Sequence, residues 1–330
     1  MAKHDNCAWI CFKGLAKRRF MYIGILMFSF LQLLVYQKAK SPGGNVLIQN
    51  GKLSIKLQGR LGNQMFQYAS ILGLGDMMDF INIVIEDVRD ELLSSFQLSD
   101  NRVSFSRLPR NGKYAKERLN CAFDKRLTMF SNKEDVNVVG YLQSWKYFHG
   151  IENHIRKEFT FVPSILSKAQ KVKLDIASQF NDTSTLKNRT YIGVHIRRGD
   201  FLQERFKKAG HYTVTKEYIF HALQLCTRMF GENAIFVFCS DDISWVKDNF
   251  SKNTNKWKMA FVEGNPAAVD MAVLSLCDHT IVTTGSFGWW AAWLAGGKTI
   301  ISKQQAKHGS YLSAQFIYSD YFYPDWIVID

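Results

Sequence analysis

The sequence predicts an α/β protein with mostly parallel sheets in two domains, preceded by a single N-terminal transmembrane helix. Its 330 residues are enough for two domains that each bury a core. In the second half, short apolar runs alternate with helical stretches, which is the pattern of a parallel sheet covered on both faces. Residues 20–36 (FMYIGILMFSFLQLLVY) contain no charged side chain, as expected for a membrane span at the short end of the usual range.

The N-terminal segment is predicted to be a signal anchor. Residues 17–19 (KRR) precede the apolar run, so the positive-inside rule keeps residues 1–19 in the cytoplasm and sends the body across the membrane. A cleaved signal peptide is the competing interpretation, because its apolar region can have the same length. No small-x-small cleavage site follows; the chain continues through a stem, residues 37–50, that contains QKAK and SPGG. The anchor is therefore favoured.

Two further features suit a body in the secretory lumen. N-x-S/T sequons for glycosylation occur at Asn181, Asn188 and Asn249. The body also contains an even number of cysteines, which permits disulfides without requiring them: Cys121, Cys226, Cys239 and Cys277.

The formal charge of +13 raises the possibility of a nucleic-acid partner. Beyond the N-terminal tail, however, the basic residues are interspersed with acidic ones and form no long tract, and there is neither zinc-finger spacing nor an RNA-recognition motif. A basic protein that handles a phosphorylated small molecule explains the sign equally well. We therefore expect no nucleic acid.

Strands and helices are predicted more clearly in the second half of the body than in the first. In the first, we predict a strand at residues 53–57, a helix at 65–78, a strand at 81–85 and a strand at 136–142, while the rest of residues 90–165 gives no clear pattern. In the second, the predicted strands are residues 191–196, 234–239, 259–262, 279–284 and 298–301, and the predicted helices are 216–230 (with Thr215 as N-cap), 243–250, 267–277 and 287–294. The polar residues 170–190 are the expected boundary.

Polar and glycine-rich sequences follow the predicted strands. GRLGNQ follows the first strand, RRGDF follows residues 191–196, SDD follows 234–239, EGN follows 259–262, and GSFG follows 279–284. Any one of these could be turn and capping chemistry. Because ligands of open α/β sheets bind outside the carboxyl ends of the strands, their combination on one edge predicts a binding site.

Arg197 and Arg198 are the sharpest chemical feature of the chain. Two adjacent guanidinium groups at the end of a buried strand suit the oxygens of a pyrophosphate. Asp241 and Asp242 could accept hydrogen bonds from the N1–H and N2–H₂ groups of a guanine, bind a metal, or cap a helix. The chain has no D-x-D, H-E-x-x-H, P-loop or G-x-S-x-G motif. We therefore expect the arginines to serve where many nucleotide-sugar enzymes use a metal.

Four motifs, in this order, resemble the α-1,2-fucosyltransferase family: GRLGNQMFQYA (59–69), GVHIRRGDF (193–201), FCSDD (238–242) and VTTGSFGWWAAWLAGG (282–297). These are Golgi type II membrane enzymes that transfer L-fucose from GDP-fucose to the 2-hydroxyl of a galactose on a glycan. The resemblance implies a GT-B-like fold of two Rossmann-type lobes and no required metal. Residues 51–185 would form the N-terminal lobe on the acceptor side, and residues 186–330 the C-terminal lobe that binds GDP-fucose.

The resemblance also implies roles for residues that match the motifs. Arg197 matches the arginine that binds the donor β-phosphate, and Ser286 matches a hydroxyl near the phosphates. Arg198 would either contact the same phosphates or brace the loop through Asp200. Asn63 would face the fucose and the acceptor.

For the guanine-binding groups and for the general base, more than one residue matches. His195 and one of Asp241 or Asp242 match groups near the guanine. A general base should take the proton of the acceptor hydroxyl, and the residues that could do so remain open: Asp200, Asp270, Glu263 and His195.

The predicted activity is an inverting transfer in which the acceptor hydroxyl attacks the fucose anomeric carbon as GDP departs. An α-1,6- or protein O-fucosyltransferase would share the H-x-R-R-x-D core but should lack GRLGNQMFQYA. A lectin would not need both strand-end arginines, and an inactive GDP-binding relative should have lost one. The chain keeps both motifs and both arginines, so an active α-1,2-fucosyltransferase is favoured.

Overall fold

The computed structural model describes residues 50–87, 89–180 and 189–330. The N-terminal sheet is parallel and consists of β1 (Leu53–Lys56), β2 (Ile83–Glu86), β3 (Val103–Phe105), β4 (Lys113–Lys116) and β5 (Val136–Val139). The strand order is β3-β2-β1-β5-β4. β2 and β3 therefore lie on one side of β1, and β5 and β4 lie on its other side. The change of side between β1 and β5 is a topological switch point, and a crevice opens at the carboxyl ends of the two strands.

The C-terminal sheet repeats this logic with more strands. It is parallel and consists of β6 (Tyr191–Ile196), β7 (Ile235–Ser240), β8 (Lys258–Val262), β9 (His279–Val282), β10 (Thr299–Ser302) and β11 (Ile327–Ile329). Its order is β11-β10-β9-β6-β7-β8, so the switch point lies between β6 and β9. Residues 192–196 of β6 are buried, as expected for a central strand covered on both faces.

Helices connect and cover the strands. They are α1 (Leu61–Met77), α2 (Glu91–Ser95), α3 (Glu152–Glu158), α4 (Pro163–Gln179), α5 (Glu204–Ala209), α6 (Lys216–Phe230), α7 (Ile243–Phe250), α8 (Ala267–Ser275), α9 (Ser286–Ala295) and α10 (Tyr318–Tyr321).

A cluster of buried aromatic side chains joins α1 of the first sheet to α9 of the second. The ring of Phe66 lies 4.6 Å from that of Trp289 and 5.0 Å from that of Trp290, measured between centroids. At the helix starts the approach is closer still, because a Cβ on Gly62 would lie only 2.6 Å from the backbone nitrogen of Phe287. Only glycine fits here, and the contact brings the N-termini of α1 and α9 together.

The predicted fold class, two α/β units with parallel sheets, is confirmed. In the second half the strand at 191–196 and the helices at 216–230 and 243–250 have the predicted bounds, and the hydroxyl of Thr215 caps α6 by accepting the Tyr218 N–H at 3.3 Å. The first half departs further. The helix predicted from residue 65 begins at Leu61, because Gly62 is accommodated in its first turn. The strand predicted to reach residue 142 ends at Val139, where Gly140 and Leu142 adopt positive φ.

Short elements account for most of what the pattern missed. β3 and β4 are edge strands of three and four residues with mostly exposed side chains, so they lack an apolar signature. The short strand β11 and the helix α3 were likewise not anticipated. Helix α4, with 17 residues, is a long element that was also missed. Helix α4 runs through the first part of the expected boundary, and Lys173 on it donates to the Leu276 carbonyl at 2.6 Å. The proposed division at residue 185 remains a prediction.

Three sets of sequence predictions concern the membrane anchor, the glycosylation sites and the cysteines. Residues 20–36 lie outside the described residues. Among residues 50–87, 89–180 and 189–330, no helix is long and apolar enough to span a membrane. The sequons at 181 and 188 are also outside the described residues. Asn249 lies near the end of α7, with its amide donating to the Trp245 carbonyl at 2.8 Å. The four cysteines of the body are buried free thiols, so none forms a disulfide within the part of the chain that is described.

Candidate active site

A single cavity of about 990 Å³ collects residues from both switch points. Gly59, Arg60 and Asn63 reach it from the end of β1, and Tyr141 and Gln143 from the end of β5. The second sheet contributes residues at or just beyond the ends of β6, β7, β8 and β9: Arg197, Asp200, Phe201, Ser240, Asp241, Asn265, Thr284, Gly285 and Ser286. The two halves of the chain therefore share one site, and its size suits a nucleotide-sized ligand together with a second substrate.

Arg197 is held between two carboxylates at the end of β6. Its guanidinium donates to Asp200 and to Asp241 and lies 4.9 Å from the centroid of the Phe201 ring. Its backbone N–H donates to the Thr283 hydroxyl at 2.9 Å. The side chain is 16% exposed, so it is fixed in orientation but still reaches the cavity.

The Asp241 carboxylate organises the loop that carries the arginines. Besides Arg197, it accepts the backbone N–H groups of Arg198 at 2.8 Å and Gly199 at 3.1 Å. A Cβ at position 199 would lie 2.3 Å from Asp241 Oδ2, so only glycine allows this approach. With its oxygens engaged in this way, Asp241 acts chiefly as a support of the loop.

Arg198 points away from its neighbour. Its Nε lies 3.2 Å from Asp242 Oδ2, and its guanidinium stacks 3.8 Å over the Trp245 ring. Asp242 in turn caps α7 by accepting the Trp245 N–H at 3.3 Å. Neither Arg198 nor Asp242 lines the cavity. Of the two roles considered for Arg198, the contacts favour bracing, through Asp242 rather than Asp200.

Asp200 links the two halves of the site. One of its oxygens accepts from Arg197, and the other lies 3.0 Å from a guanidinium nitrogen of Arg60, at the start of α1. Asn63, in the first turn of the same helix, accepts hydrogen bonds through Oδ1 from the Ser286 hydroxyl at 2.5 Å and from Gln143 Nε2 at 2.8 Å. The first motif and the fourth, 223 residues apart, therefore meet directly.

The N-terminus of α9 faces this junction. Gly285 precedes the helix with a φ of 93° and no side chain caps its first turn. Gly285, Ser286 and Phe287 all line the cavity. Unsatisfied amides at a helix start, aided by the helix dipole, bind anions, and Arg197 lies on the neighbouring strand end.

His195 lies within β6, 5% exposed, with its ring 5.0 Å from that of Phe287. Burial, and secondarily the charge of Arg197, lower the pKa of the imidazole to about 3, so the ring is neutral at physiological pH. Its Nδ1 has no hydrogen-bond partner among the described residues. The residue lines the cavity, but its unpartnered nitrogen is buried against α9, where a Cβ on Gly288 would lie 2.6 Å from it. Burial disfavours a role as proton acceptor.

Asp270 has the most unusual environment of the carboxylates that line the cavity. It lies in the first turn of α8, where burial raises its pKa from 3.8 to about 6 despite a hydrogen bond from the Asn265 side chain. Its Oδ1 has no partner among the described residues. Sequence reasoning named Asp270 only as a possible base; an aspartate within the apolar run AAVDMAVLS was the available signal for a larger role. Glu263, another candidate base, pairs with Lys247 at 2.6 Å and lies outside the cavity lining.

No group of three or more His, Cys, Asp or Glu side chains within residues 50–87, 89–180 and 189–330 is arranged to hold a metal ion. The expectation that the reaction needs no metal remains a prediction.

A family model described as glycosyl transferase family 11 matches residues 21–330. The chain belongs to this glycosyl transferase family. It is 29% identical over 304 residues to galactoside alpha-(1,2)-fucosyltransferase 2 of Sus scrofa, covering 91% of this chain and 86% of that protein. It is 31% identical over 283 residues to the Mus musculus protein of the same name, covering 84% and 78%. The resemblance drawn from the four motifs is confirmed.

Solved structures support the fold of this glycosyltransferase. POFUT1 in complex with GDP superposes with a TM-score of 0.50 at 12% identity, covering 77% of this chain and 99% of that one. A point variant of Arabidopsis thaliana FUT1 in complex with GDP superposes with a TM-score of 0.52 at 12% identity, covering 81% and 73%. At such low identity the likeness concerns the two-lobed architecture alone.

Proposed function

We propose that this chain is a galactoside α-1,2-fucosyltransferase, which transfers L-fucose from GDP-fucose to the 2-hydroxyl of a terminal galactose on a glycan. The observation that carries the proposal is its relation, at 29–31% identity over most of its length, to galactoside alpha-(1,2)-fucosyltransferases. The shared cavity is consistent with it, because a donor and an acceptor must meet there with their reacting atoms in contact.

The donor diphosphate is assigned to the space between Arg197 and the start of α9. The guanidinium lies at the cavity, and the amides after Gly285 and the Ser286 hydroxyl face the same place. Positive charge and free N–H groups on two sides suit an anion that gains charge as the sugar leaves. Asp200 and Asp241 orient the guanidinium, so a phosphate can take up its remaining N–H donors.

The guanine is assigned to His195 and Asp270 rather than to Asp241 or Asp242. A guanine presents N1–H and N2–H₂ donors, which call for an acceptor pair such as a carboxylate. Asp241 is occupied by the loop at 197–199, and Asp242 caps α7. Asp270 lines the cavity, and its Oδ1 has no partner within the described part of the chain. An unpaired buried acceptor is costly unless a ligand supplies its donor.

In the proposed reaction the galactose 2-hydroxyl oxygen forms a bond to the fucose anomeric carbon while the bond from that carbon to the β-phosphate oxygen breaks. The electron pair leaves with GDP, and the hydroxyl proton passes to a base. The configuration inverts because the hydroxyl attacks the face of the carbon opposite the leaving group. Arg197 stabilises the charge that builds on the leaving oxygen. Asp200, whose oxygens contact Arg60 and Arg197, is suited to holding both arginines in place.

The proposed location in the cell rests on the sequence. The uncharged run at residues 20–36, behind KRR at 17–19, would anchor a type II protein in the Golgi membrane, with the catalytic body in the lumen. The sequons at Asn181, Asn188 and Asn249 would then be accessible to glycosylation.

The decisive experiment is an acceptor screen of residues 37–330 with labelled GDP-fucose, followed by linkage analysis of the product. We expect transfer to galactose-terminated oligosaccharides with an α-1,2 linkage. Transfer to a core N-acetylglucosamine or to a Ser/Thr side chain would instead identify an α-1,6- or protein O-fucosyltransferase. Binding of GDP without transfer to any acceptor would indicate an inactive relative.

A further inference from the structure

The side-chain amide of Asn63 has its oxygen and its nitrogen in different surroundings. Its Oδ1 accepts from the Ser286 hydroxyl at 2.5 Å and from Gln143 Nε2 at 2.8 Å. Its Nδ2 lies against Gly59, where a Cβ would come within 2.3 Å of it, and both residues line the cavity. Among the described residues Nδ2 has no hydrogen-bond partner, so it can donate a hydrogen bond to a ligand.

We propose that Gln143 is a positioning residue, which fixes the Asn63 amide so that Nδ2, and not Oδ1, is presented to the donor phosphates and the fucose. The inference rests on the proposed function. Of the two partners of Oδ1, the Ser286 hydroxyl can either donate or accept, so it cannot choose an orientation of the amide. The Gln143 NH₂ group can only donate. It therefore determines which end of the Asn63 amide faces Gln143, because an Asn63 amide turned over would direct its N–H groups at those of Gln143.

The orientation of Gln143 is itself set. Its Oε1 accepts from the Cys121 thiol at 3.3 Å, and its Nε2 donates to Asn63. Because sulfur is a weak acceptor, an Nε2 turned toward Cys121 would make a poorer hydrogen bond than the one it gives to the Asn63 oxygen. Its backbone N–H donates to the Asn120 carbonyl at 2.9 Å. A chain of hydrogen bonds thus runs from Cys121 through Gln143 and Asn63 to Ser286, across the junction of the two halves of the site.

The segment that leads to Gln143 has an uncommon backbone. Leu142, which is fully buried, has a φ of 53°, and Gly140 has a φ of 155°. Glu117, 5% exposed, anchors the turn by accepting the N–H groups of Tyr141 at 2.5 Å and Leu142 at 2.9 Å. A branched residue in the left-handed region persists only where its surroundings enforce it, and such residues concentrate at functional sites. Here the enforced turn places the Gln143 side chain against Asn63.

The test is Gln143→Glu, which keeps the size of the side chain but can only accept hydrogen bonds. A carboxylate beside Asn63 turns the amide over, so that Nδ2 donates to it and Oδ1 faces the phosphates. We expect kcat to fall about 10- to 100-fold and the Kd for GDP to rise about tenfold, with KM for GDP-fucose changed less than about threefold, because the lost contact strengthens as charge develops on the phosphate. Gln143→Met, which brings no charge, should lower kcat about tenfold through the same loss of orientation.

A double-mutant cycle separates positioning from mere packing. If Gln143 acts through Asn63, then in an Asn63→Ala background the further change Gln143→Glu should alter kcat less than about twofold. Gln97→Glu is the matched control, since it removes a hydrogen bond from Nε2 to the Phe161 carbonyl (2.9 Å) outside the cavity lining; it should keep the wild-type kcat and Kd.

Full turnover and GDP affinity in both Gln143 variants, or an undiminished cost in the Asn63→Ala background, would overturn the inference. Wild-type protein that binds GDP but transfers no fucose would overturn the proposed function instead. In that case the Kd for GDP of Gln143→Glu still decides the role of Gln143.

Discussion

Replacing Asp270 by asparagine should stabilise the protein and at the same time weaken its hold on GDP. The burial that raises the Asp270 pKa from 3.8 to about 6 makes the ionised carboxylate unfavourable in the folded state. The folded chain holds this proton more tightly than the unfolded chain. The associated stability is therefore complete below about pH 4 and is lost as the pH rises through 6. Fully developed, a shift of this size corresponds to at most ~3 kcal/mol.

Asparagine has nearly the same shape and no charge, so it avoids that loss. The variant should match the wild type near pH 4, and its advantage in free energy of unfolding should grow up to about pH 6 and then stay constant. Chemical denaturation of residues 37–330 between pH 4.5 and 8 measures this difference directly. Leu274→Asn would be an uninformative control because it buries a new polar group; Asp278→Asn, which lies beyond the same helix and outside the cavity lining, is a closer match.

The same substitution of Asp270 should weaken the binding of GDP. A carboxylate that accepts both guanine N–H groups forms two charge-assisted hydrogen bonds, and its replacement should raise the Kd for GDP about 10- to 100-fold. Inosine diphosphate lacks the N2 amino group, so the wild type should prefer GDP over it and the Asp270→Asn variant should largely lose that preference. A variant that binds both nucleotides like the wild type, with no gain in stability above pH 6, would refute the assignment of Asp270 to the guanine.

Three further outcomes are expected. Arg197→Ala should lower kcat/KM by about 10²-fold or more with little change in thermal unfolding, since Asp200 keeps Arg60 and Asp241 keeps the backbone N–H groups of the loop; Arg197→Lys should recover little because a point charge cannot reproduce the fork, and near-normal turnover of Arg197→Ala would make the arginine structural. Activity in excess EDTA should stay within about twofold of the untreated value, whereas complete loss restored by Mn²⁺ would assign the phosphates to a metal. The full chain made in a eukaryotic cell should gain mobility on a gel after glycosidase treatment; no shift, together with protease access to the body in sealed microsomes, would reverse the predicted topology.

Features that depend on neighbours along the chain could be predicted from the sequence alone. Apolar runs punctuated by polar strand ends specified most of β6 to β10 and the helices between them, because burial on both faces and helical periodicity are local signals. The motifs around Asn63, His195 and Ser286 specified the family for the same reason. Where the strands are short and lie at an edge, as in β3 and β4, this signal was absent.

Which strand ends meet is visible only in the folded chain. The orders β3-β2-β1-β5-β4 and β11-β10-β9-β6-β7-β8 place two switch points at one cavity, and strand order depends on the packing of whole layers rather than on periodicity. The fold also determines what each carboxylate is free to do. Asp241, Asp242 and Asp270 are the same side chain in the sequence, but the first supports the arginine loop and the second caps a helix. The third lines the cavity and keeps an oxygen with no partner among the residues that the structure describes. The chemistry of a carboxylate is set by the donors and the solvent that the fold leaves around it.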